Sequence, residues 1–503
     1  MTRYGFLIDQ DTCIGCHACT VACKAEHDVP LGVNRTWVKY IESGSFPAVD
    51  RHFAVMRCNH CDNAPCVTIC PTNALFHRDN GIVDFDTANC IGCKSCMNAC
   101  PYDALYIDPV DHTAQKCNFC AHRVEQGLQP SCVVVCPTQS IVAGDLDDPA
   151  SRISRMVAEH DVLVRAPEQG TRPKLFYKGV DPAVLDPTRS AIADDGMVWA
   201  ETTAGHPTMP RVDGPPLART TYTTAHPAPW GWMVTAYLVT KAIAAGALLL
   251  AALYVAAGHA ESQVAVGVMP ALVAGAFTGL TALLLVADLK QPRRFVYLVT
   301  RPNWSSWLVR GAVVLSAYAL VTAAWLLAGL TSSSGALQML ALPGAFAAAA
   351  AAGYTAFLFA QCEGRDLWQS PLLLPDLLAQ AAIAGAAAFG LADLVLDMPA
   401  PDLLRWTLVA SVVAHLALLT TDVSHHRRSE QAALAARVMT RGPEARRFWS
   451  GVGAALVAIA LGALALAGAA SGLCTALAAT AALVSIVLAE AAFVRAGQAV
   501  PLS

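Results

Sequence analysis

Cys90-Ile91-Gly92-Cys93-Lys94-Ser95-Cys96-Met97-Asn98-Ala99-Cys100-Pro101 is the run around which the rest of the chain is organised. Three cysteines spaced by two residues can wrap one iron–sulfur cube from a single tight loop. The fourth stands three residues on, before a proline, at the start of a helix that points its thiolate elsewhere. In runs of this pattern the fourth cysteine ligates a second cluster, so one run calls for another to complete both cubes.

Working outward, 16 of the 18 cysteines lie between Cys13 and Cys136 and fall into four runs. They are Cys13, Cys16, Cys19, Cys23; Cys58, Cys61, Cys66, Cys70; Cys90, Cys93, Cys96, Cys100; and Cys117, Cys120, Cys132, Cys136. Sixteen thiolates suffice for four [4Fe–4S] clusters. Prolines follow Cys70, Cys100 and Cys136, while Lys24 follows Cys23. A short strand over 6–9 precedes the first run. Asn80-Gly81 reads as a two-residue hairpin turn between 74–77 and 82–85, because both central positions of such a turn need positive φ. Strand, cluster loop and helix make a ferredoxin-like unit, which occurs twice. Structural zinc is the rival. It uses paired CxxC knuckles, and a third cysteine two residues further would crowd the tetrahedron. A secreted disulfide scaffold does not produce CxxCxxCxxxC runs. His17, His60 and His77 lie near cluster loops and read as hydrogen-bonding or solvated neighbours, since cysteine fills every ligand slot.

The ordered runs CxxCxxCxxxC, CxxCx4CxxxC, CxxCxxCxxxC and CxxCx11CxxxC resemble the four-cluster subunit of the DMSO-reductase family of molybdenum enzymes, over about residues 3–185. The resemblance implies that runs one and four interleave, as do two and three. Cys13, Cys16, Cys19 and Cys136 would then hold one cluster, and Cys23, Cys117, Cys120 and Cys132 another. Cys58, Cys61, Cys66 and Cys100 would hold a third, and Cys70, Cys90, Cys93 and Cys96 the fourth. It also implies a separate catalytic subunit, because no molybdopterin- or nucleotide-binding pattern occurs here.

Composition divides the chain. It is 55% hydrophobic and only 14% charged, where a soluble protein has roughly 25% charged. A net charge of −4 gives no reason to expect nucleic acid. Residues 1–10 carry neither an apolar h-region nor a twin arginine, so no export signal is expected. We divide the chain into a cluster domain (1–185), an extended linker rich in Pro, Gly, Thr and Ala (186–229), and a membrane domain (230–503). A short helix is expected near 151–160. Spans of about 20 apolar residues are expected at 231–257, 264–287, 308–330, 337–360, 371–396 and 403–423. The block 450–494 is long enough to cross twice and should fold back at Ser471-Gly472, making eight helices. The face shared with the cluster domain carries Lys290, Arg293, Arg294, Arg301, Arg365, Arg427, Arg428, Arg437, Arg441, Arg446 and Arg447; the other carries Arg405. That bias places the clusters on the cytoplasmic side of the inner membrane, although the 290–301 charges could instead serve the site.

The membrane half resembles the NrfD-like, polysulfide-reductase type of quinone-reactive subunit. The resemblance rests on the stretch from Asp288 to Phe295 (DLKQPRRF), that from Arg301 to Trp307 (RPNWSSW), and Gly353-Tyr354 through Leu367-Trp368-Gln369-Ser370-Pro371. A bis-histidine haem needs two facing histidines. Only His415 is clearly within a span; His259, His425 and His426 lie at ends or loops, so no haem is expected. Ionisable groups within spans are functional candidates. Tyr237 and Lys241 fall at i and i+4, one above the other. Tyr354 matches the family's helix-four tyrosine, which lines the quinone pocket, and Asp288 ends the second span beside Arg293 and Arg294. Together they would offer hydrogen bonds and a proton route to ubiquinone or menaquinone. The plainer alternatives are a belt aromatic for Tyr354, snorkelling for Lys241 and a structural ion pair for Asp288. At the position of Tyr237 some family members have histidine. His415, Asp393 and Glu490 could form a proton path or simply face the interior.

The expected fold is an α+β double ferredoxin-like domain followed by an all-α eight-helix transmembrane bundle. The expected function is an electron-transfer and anchor subunit of a quinone-linked molybdopterin oxidoreductase. A sulfur substrate (sulfite, dimethyl sulfoxide, polysulfide or thiosulfate) is implied by the resemblance, with oxidation feeding the quinone pool favoured. The alternatives are a molybdenum-free relay between a soluble carrier and quinone, and a subunit of a larger proton-translocating respiratory complex.

Overall fold

A computed structural model describes residues 2–192, 198–199, 218–424 and 429–503. Tyr4–Asp9 is an inner strand of a four-stranded sheet, antiparallel to Ile141–Asp145 at one edge and parallel to Leu175–Lys178, with Val162–Leu163 at the other edge. Alternation along it sorts the side chains between two faces. Leu7 packs with Val142 and Ile153 under the helix Arg152–Glu159, while Phe6 and Ile8 turn toward the cysteine loops. Ser151 caps that helix, its Oγ accepting from the Ser154 amide at 3.1 Å.

The twofold repeat is visible in two short hairpins. Leu75–His77 pairs with Val83–Phe85, and Leu105–Ile107 with Ala114–Lys116. Helices Pro65–Ile69 and Ser95–Ala99 precede them. The first hairpin does not turn on Asn80-Gly81 alone. Of the two only Gly81 has positive φ, +75°, and the Arg78 amide bonds the Ile82 carbonyl, so the loop is the three residues 79–81.

Two features were not read from the sequence. Thr36–Ser45 and Ala48–Arg57 form a ten-residue hairpin between the first two cysteine runs. The stretch assigned as a linker adds to it: Ala218–Thr223 pairs antiparallel with Thr36–Ser45, and Ser190–Ile192 lies parallel to Ala218–Thr223. Thus 186–229 contributes strands to the cluster domain, while 200–217 lie outside the described residues.

Among the described residues, eight helices are long and apolar enough to cross a membrane: Trp232–Ala256, Gln263–Ala287, Trp307–Leu330, Ser334–Ala360, Leu373–Ala392, Pro401–Ser424, Ala445–Leu466 and Ser471–Ala499. We call them spans one to eight. The last turn falls at 467–470, where Gly468 and Ala470 take positive φ, rather than at Ser471-Gly472, which open the eighth helix. A short, largely buried helix absent from the sequence reading, Glu430–Thr440, precedes span seven. Spans one and five touch through glycine. A Cβ on Gly246 would lie 2.0 Å from the Ala381 carbonyl oxygen, and one on Gly385 2.1 Å from that of Gly246. In lipid, where apolar burial between helices gains little, such close backbone contact is what holds helices together.

The halves interlock. Asn303 Nδ2 donates to the Cys70 carbonyl at 2.8 Å, Ser306 Oγ to that of Ile69 at 2.7 Å, and Arg294 Nη1 to that of Cys90 at 2.9 Å. The Gly364 amide reaches the Ala99 carbonyl, and the Gln498 side chain clasps both backbone groups of Trp230.

Candidate functional site

The cysteine loops wrap because their backbone turns left-handed at repeated places. Gly15 and Gly92, between the first two cysteines of their runs, have φ of +67° and +69°; His17 and Lys94, just after, have +59° and +64°. Gly92 is also pressed against Lys290, whose Cβ a side chain would meet at 2.6 Å. The resulting N–H directions favour sulfur: the Gly92 and Ala114 amides point at Cys90 Sγ (3.4 and 3.3 Å) and the His60 amide at Cys58 Sγ (3.4 Å).

The thiols gather across runs. Cys13 has Cys136, Cys16 and Cys19 as electrostatic neighbours, and Cys23 has Cys117, Cys120 and Cys132. Cys66 has Cys58, Cys61 and Cys100, while Cys96 has Cys70, Cys90 and Cys93. The groups also lie within electrostatic range of one another in series, Cys19 of Cys132, Cys117 of Cys58, and Cys96 of Cys66.

These residues fit an iron–sulfur core. Burial pushes the thiols of Cys93, Cys100 and Cys117 up to about 12 and that of Cys19 to about 11, with neighbouring thiolates adding to the rise. Such groups ionise only against a cationic partner. Arg57 points the other way. It is fully buried, donates from Nη1 to Cys132 Sγ at 3.1 Å and lies 4.6 Å over the Phe6 ring, while Nε and Nη2 have no protein partner. A buried guanidinium without a carboxylate requires an anion nearby, which a thiolate-ligated cluster supplies. Among the described residues no three Cys, His, Asp or Glu converge on a single-ion site. The flanking histidines hydrogen-bond. His60 Nδ1 accepts from the Val83 amide at 3.2 Å and His17 Nε2 meets the Tyr40 hydroxyl at 3.0 Å. His27, which the sequence reading passed over, touches Cys120 Sγ at 3.1 Å. Burial, with Lys116, Lys174 and Arg57 nearby, pushes His60 well below the usual histidine range.

The Cys70–Cys90–Cys93–Cys96 group abuts the membrane half. Trp230 Nε1 donates to the Cys93 carbonyl at 3.2 Å, and the Trp230 ring stacks on Trp368 at 5.4 Å with Phe359 edge-on. Cys362, fully buried, lies within electrostatic range of both Cys93 and Tyr237. Deeper in, the ring of Tyr354 lies against Gly311, where a Cβ would come within 2.3 Å, and Lys241 Nζ sits 5.1 Å over that ring. Lys241 donates to the Ala352 carbonyl at 2.7 Å and to Thr355 Oγ1. Span one therefore brings Lys241 to Tyr354, with Tyr237 one turn away and within electrostatic range of the same ring, a meeting that the i, i+4 spacing alone did not announce.

Asp288 stands apart. Its partner is Lys94 of the third run, at 2.9 Å, and not Arg293 or Arg294; Arg294 is engaged with the Thr87 and Cys90 carbonyls. Asp288, Lys94 and Lys290 line a cleft of about 430 Å3 between the halves, floored by Met97, Trp232 and Met233. Asp393 also lies elsewhere, its Oδ1 accepting from the Met398 amide at the far ends of the spans.

Comparison with known proteins agrees with this division. The family described as polysulphide reductase, NrfD, matches residues 220–501, more than half of the chain. The chain belongs to the NrfD family. Ahead of the NrfD region, two matches to 4Fe-4S dicluster domains cover residues 12–75 and 49–146. A tetrathionate reductase subunit of Salmonella typhimurium is 45% identical over 189 residues, 37% of this chain and 76% of that protein. A polysulfide reductase component of Wolinella succinogenes is 40% identical over 177 residues, 35% of this chain and 93% of that protein. Protein NrfC of Escherichia coli is 44% identical over 178 residues, 35% of this chain and 79% of that protein. This NrfD-family chain is thus an iron–sulfur electron-transfer subunit of a reductase complex fused to its multi-pass membrane anchor.

Proposed function

We propose that the chain carries electrons between a separate molybdopterin catalytic subunit and ubiquinone or menaquinone. Four [4Fe–4S] clusters would be held by the four thiol groups described above. When bound, the clusters supply one-electron redox steps. The cysteines hold them in line, from the Cys13–Cys16–Cys19–Cys136 group to the Cys70–Cys90–Cys93–Cys96 group. That unbroken series of thiols, ending against Trp230 and the membrane loops, is the observation that carries the reading. Cys16 is exposed and Cys13 and Cys136 half-exposed, so the far end faces the side open to a soluble partner.

Tyr354, Lys241 and Tyr237 are the quinone-site residues in this reading. The Tyr354 hydroxyl and Lys241 ammonium offer donors to a quinone carbonyl, and Asp288 with Lys94 lines the approach at the rim. A tetrathionate or polysulfide reductase among the relatives favours a sulfur substrate on the partner. The clusters would face the cytoplasm, supported by the basic loops. Arg294, Arg301 and Arg365 weaken that support, since each binds cluster-domain groups, and Arg427 and Arg428 lie outside the described residues. Cysteine labelling that finds the 424–448 loop outside the cell overturns this orientation.

The deciding experiment extracts the protein in mild detergent and assays partner, molybdenum and iron. A large molybdenum-bearing partner and about sixteen cluster irons on this chain are expected. Iron without molybdenum or partner overturns the oxidoreductase assignment. Tyr354→Phe should slow quinone turnover about 100-fold, the lower end of the range for a lost proton donor, with cluster spectra intact. Unchanged quinone kinetics removes Tyr354 from the site.

A further inference from the structure

Four polar side chains from three spans meet inside the bundle. Asp376 and Gln380, one turn apart on span five, face His415 of span six and Glu490 of span eight. His415 Nδ1 lies 2.6 Å from Asp376 Oδ1, and Gln380 Nε2 donates both to Asp376 Oδ2 at 2.9 Å and to Glu490 Oε1 at 2.7 Å. His415, Gln380 and Glu490 are buried. The four line one side of a partly open space of about 20 Å3, enough for one water molecule. His415 Nε2, also buried, lacks a protein partner. An imidazole bonded at one nitrogen and open at the other is built to receive a proton on one side and release it on the other.

The cluster has a mouth and an end. Asp422, two turns nearer the cluster-side surface on span six, lines the same space and bonds Ser370 Oγ. On the inner side Glu490 is the acidic neighbour of Lys241. His415, Glu490 and Lys241 each stand nine residues in from the cluster-side ends of their helices, Ser424, Ala499 and Trp232. At about 1.5 Å per residue that is one layer, roughly 13 Å deep. Beyond it, along spans five, six and eight, the described residues offer no charged side chain in the next two to four turns. Residues 406–414, 381–392 and 475–489 contain no Asp, Glu, His, Lys or Arg.

We propose that Asp422, Asp376, His415 and Glu490 form a one-sided proton route between water at the cluster-side face and Lys241. It rests on the quinone reading above. Reduction of a quinone takes two electrons, arriving through the cysteine-bound clusters, and two protons. Lys241 gives a proton to the quinone oxygen and is recharged by Glu490. Glu490 is recharged from His415 through water in that space, and His415 from Asp376 and the surface. Quinol oxidation runs the same transfers in reverse. Because the route has no continuation to the far face, proton uptake and release occur on the cluster side alone.

The test uses the full cluster-loaded chain in liposomes, with cluster absorbance followed on mixing with a soluble quinone. Glu490→Gln should slow quinone reduction by about 100-fold and flatten its pH profile, with quinone Kd and cluster EPR signals unchanged. His415→Ala, which enlarges that space, should lose a similar factor and regain rate on adding imidazole; a packing role predicts no rescue. Wild-type rate and pH profile in Glu490→Gln, or His415→Ala that imidazole leaves unaltered, overturns the route while the quinone site stands. Absence of quinone turnover in the unaltered protein overturns both. A pH indicator trapped inside vesicles of known orientation adds a further check, since net proton uptake from the far side also overturns it.

Discussion

Arg57 is a cation whose charged neighbours are the thiols of Cys132, Cys117 and Cys19, drawn from two adjacent groups. Positive charge and hydrogen bonds to cluster sulfur make the reduced, more negative state easier to reach. Arg57→Gln should therefore lower the midpoint potential of the cluster at Cys132, read by EPR-monitored titration, while the clusters farther along keep theirs. Arg57→Lys should restore part of the shift, as the charge remains but the forked geometry does not. At this scale the sequence was legible where the chemistry is local. Cysteine spacing within a dozen residues points by itself to an iron–sulfur domain, which the matches to 4Fe-4S dicluster domains bear out. Arg57 and Asp376 were invisible because their meaning comes from partners far along the chain: Cys132 is 75 residues from Arg57 and His415 39 from Asp376. Lys241 and Tyr354 fall between these cases. Their individual placement near the cluster face could be counted, but the contact of ammonium with ring could not.

The helices of the membrane half were readable to within a few residues because a bilayer demands a fixed apolar length and gives no other signal room. Their turns were less so. The break between spans seven and eight follows the left-handed backbone at Gly468, while Ser471-Gly472 continue as helix. The hairpin from Thr36 to Arg57 was missed because its outer half is solvent-facing and polar, which blurs the alternation that marks a strand. How spans pack is a further level that hydropathy does not carry. Gly246 and Gly385 meet backbone to backbone, so Gly385→Ala should cost about 1–3 kcal/mol or more by overpacking. A fall of several degrees in the melting temperature of the detergent-extracted protein would register this. Gly275→Ala in span two, with nothing within 4 Å, should leave it unchanged.

At the scale of the whole molecule, the membrane loops grip the cluster domain mainly through backbone carbonyls around the group nearest the bundle. Asn303 alone reaches the Val67, Thr68 and Cys70 carbonyls. Asn303→Ala should leave iron content unaltered yet slow electron transfer between that cluster and quinone, measured by stopped-flow, because small displacements of a donor or acceptor lower rates steeply. The order of the thiol groups was closed to sequence reading, since the runs interleave and only the folded domain says which group lies outermost. That outermost position bears on survival in air. The group containing Cys16 has a solvent-facing ligand while the group under Trp230 is roofed by aromatic rings. Molecular oxygen or a chelator therefore meets the outer cluster first. In the electron-transfer reading proposed above, damage would begin by cutting the chain off from a soluble partner, leaving a sheltered inner end still wired to the lipid pool but with nothing to exchange electrons with.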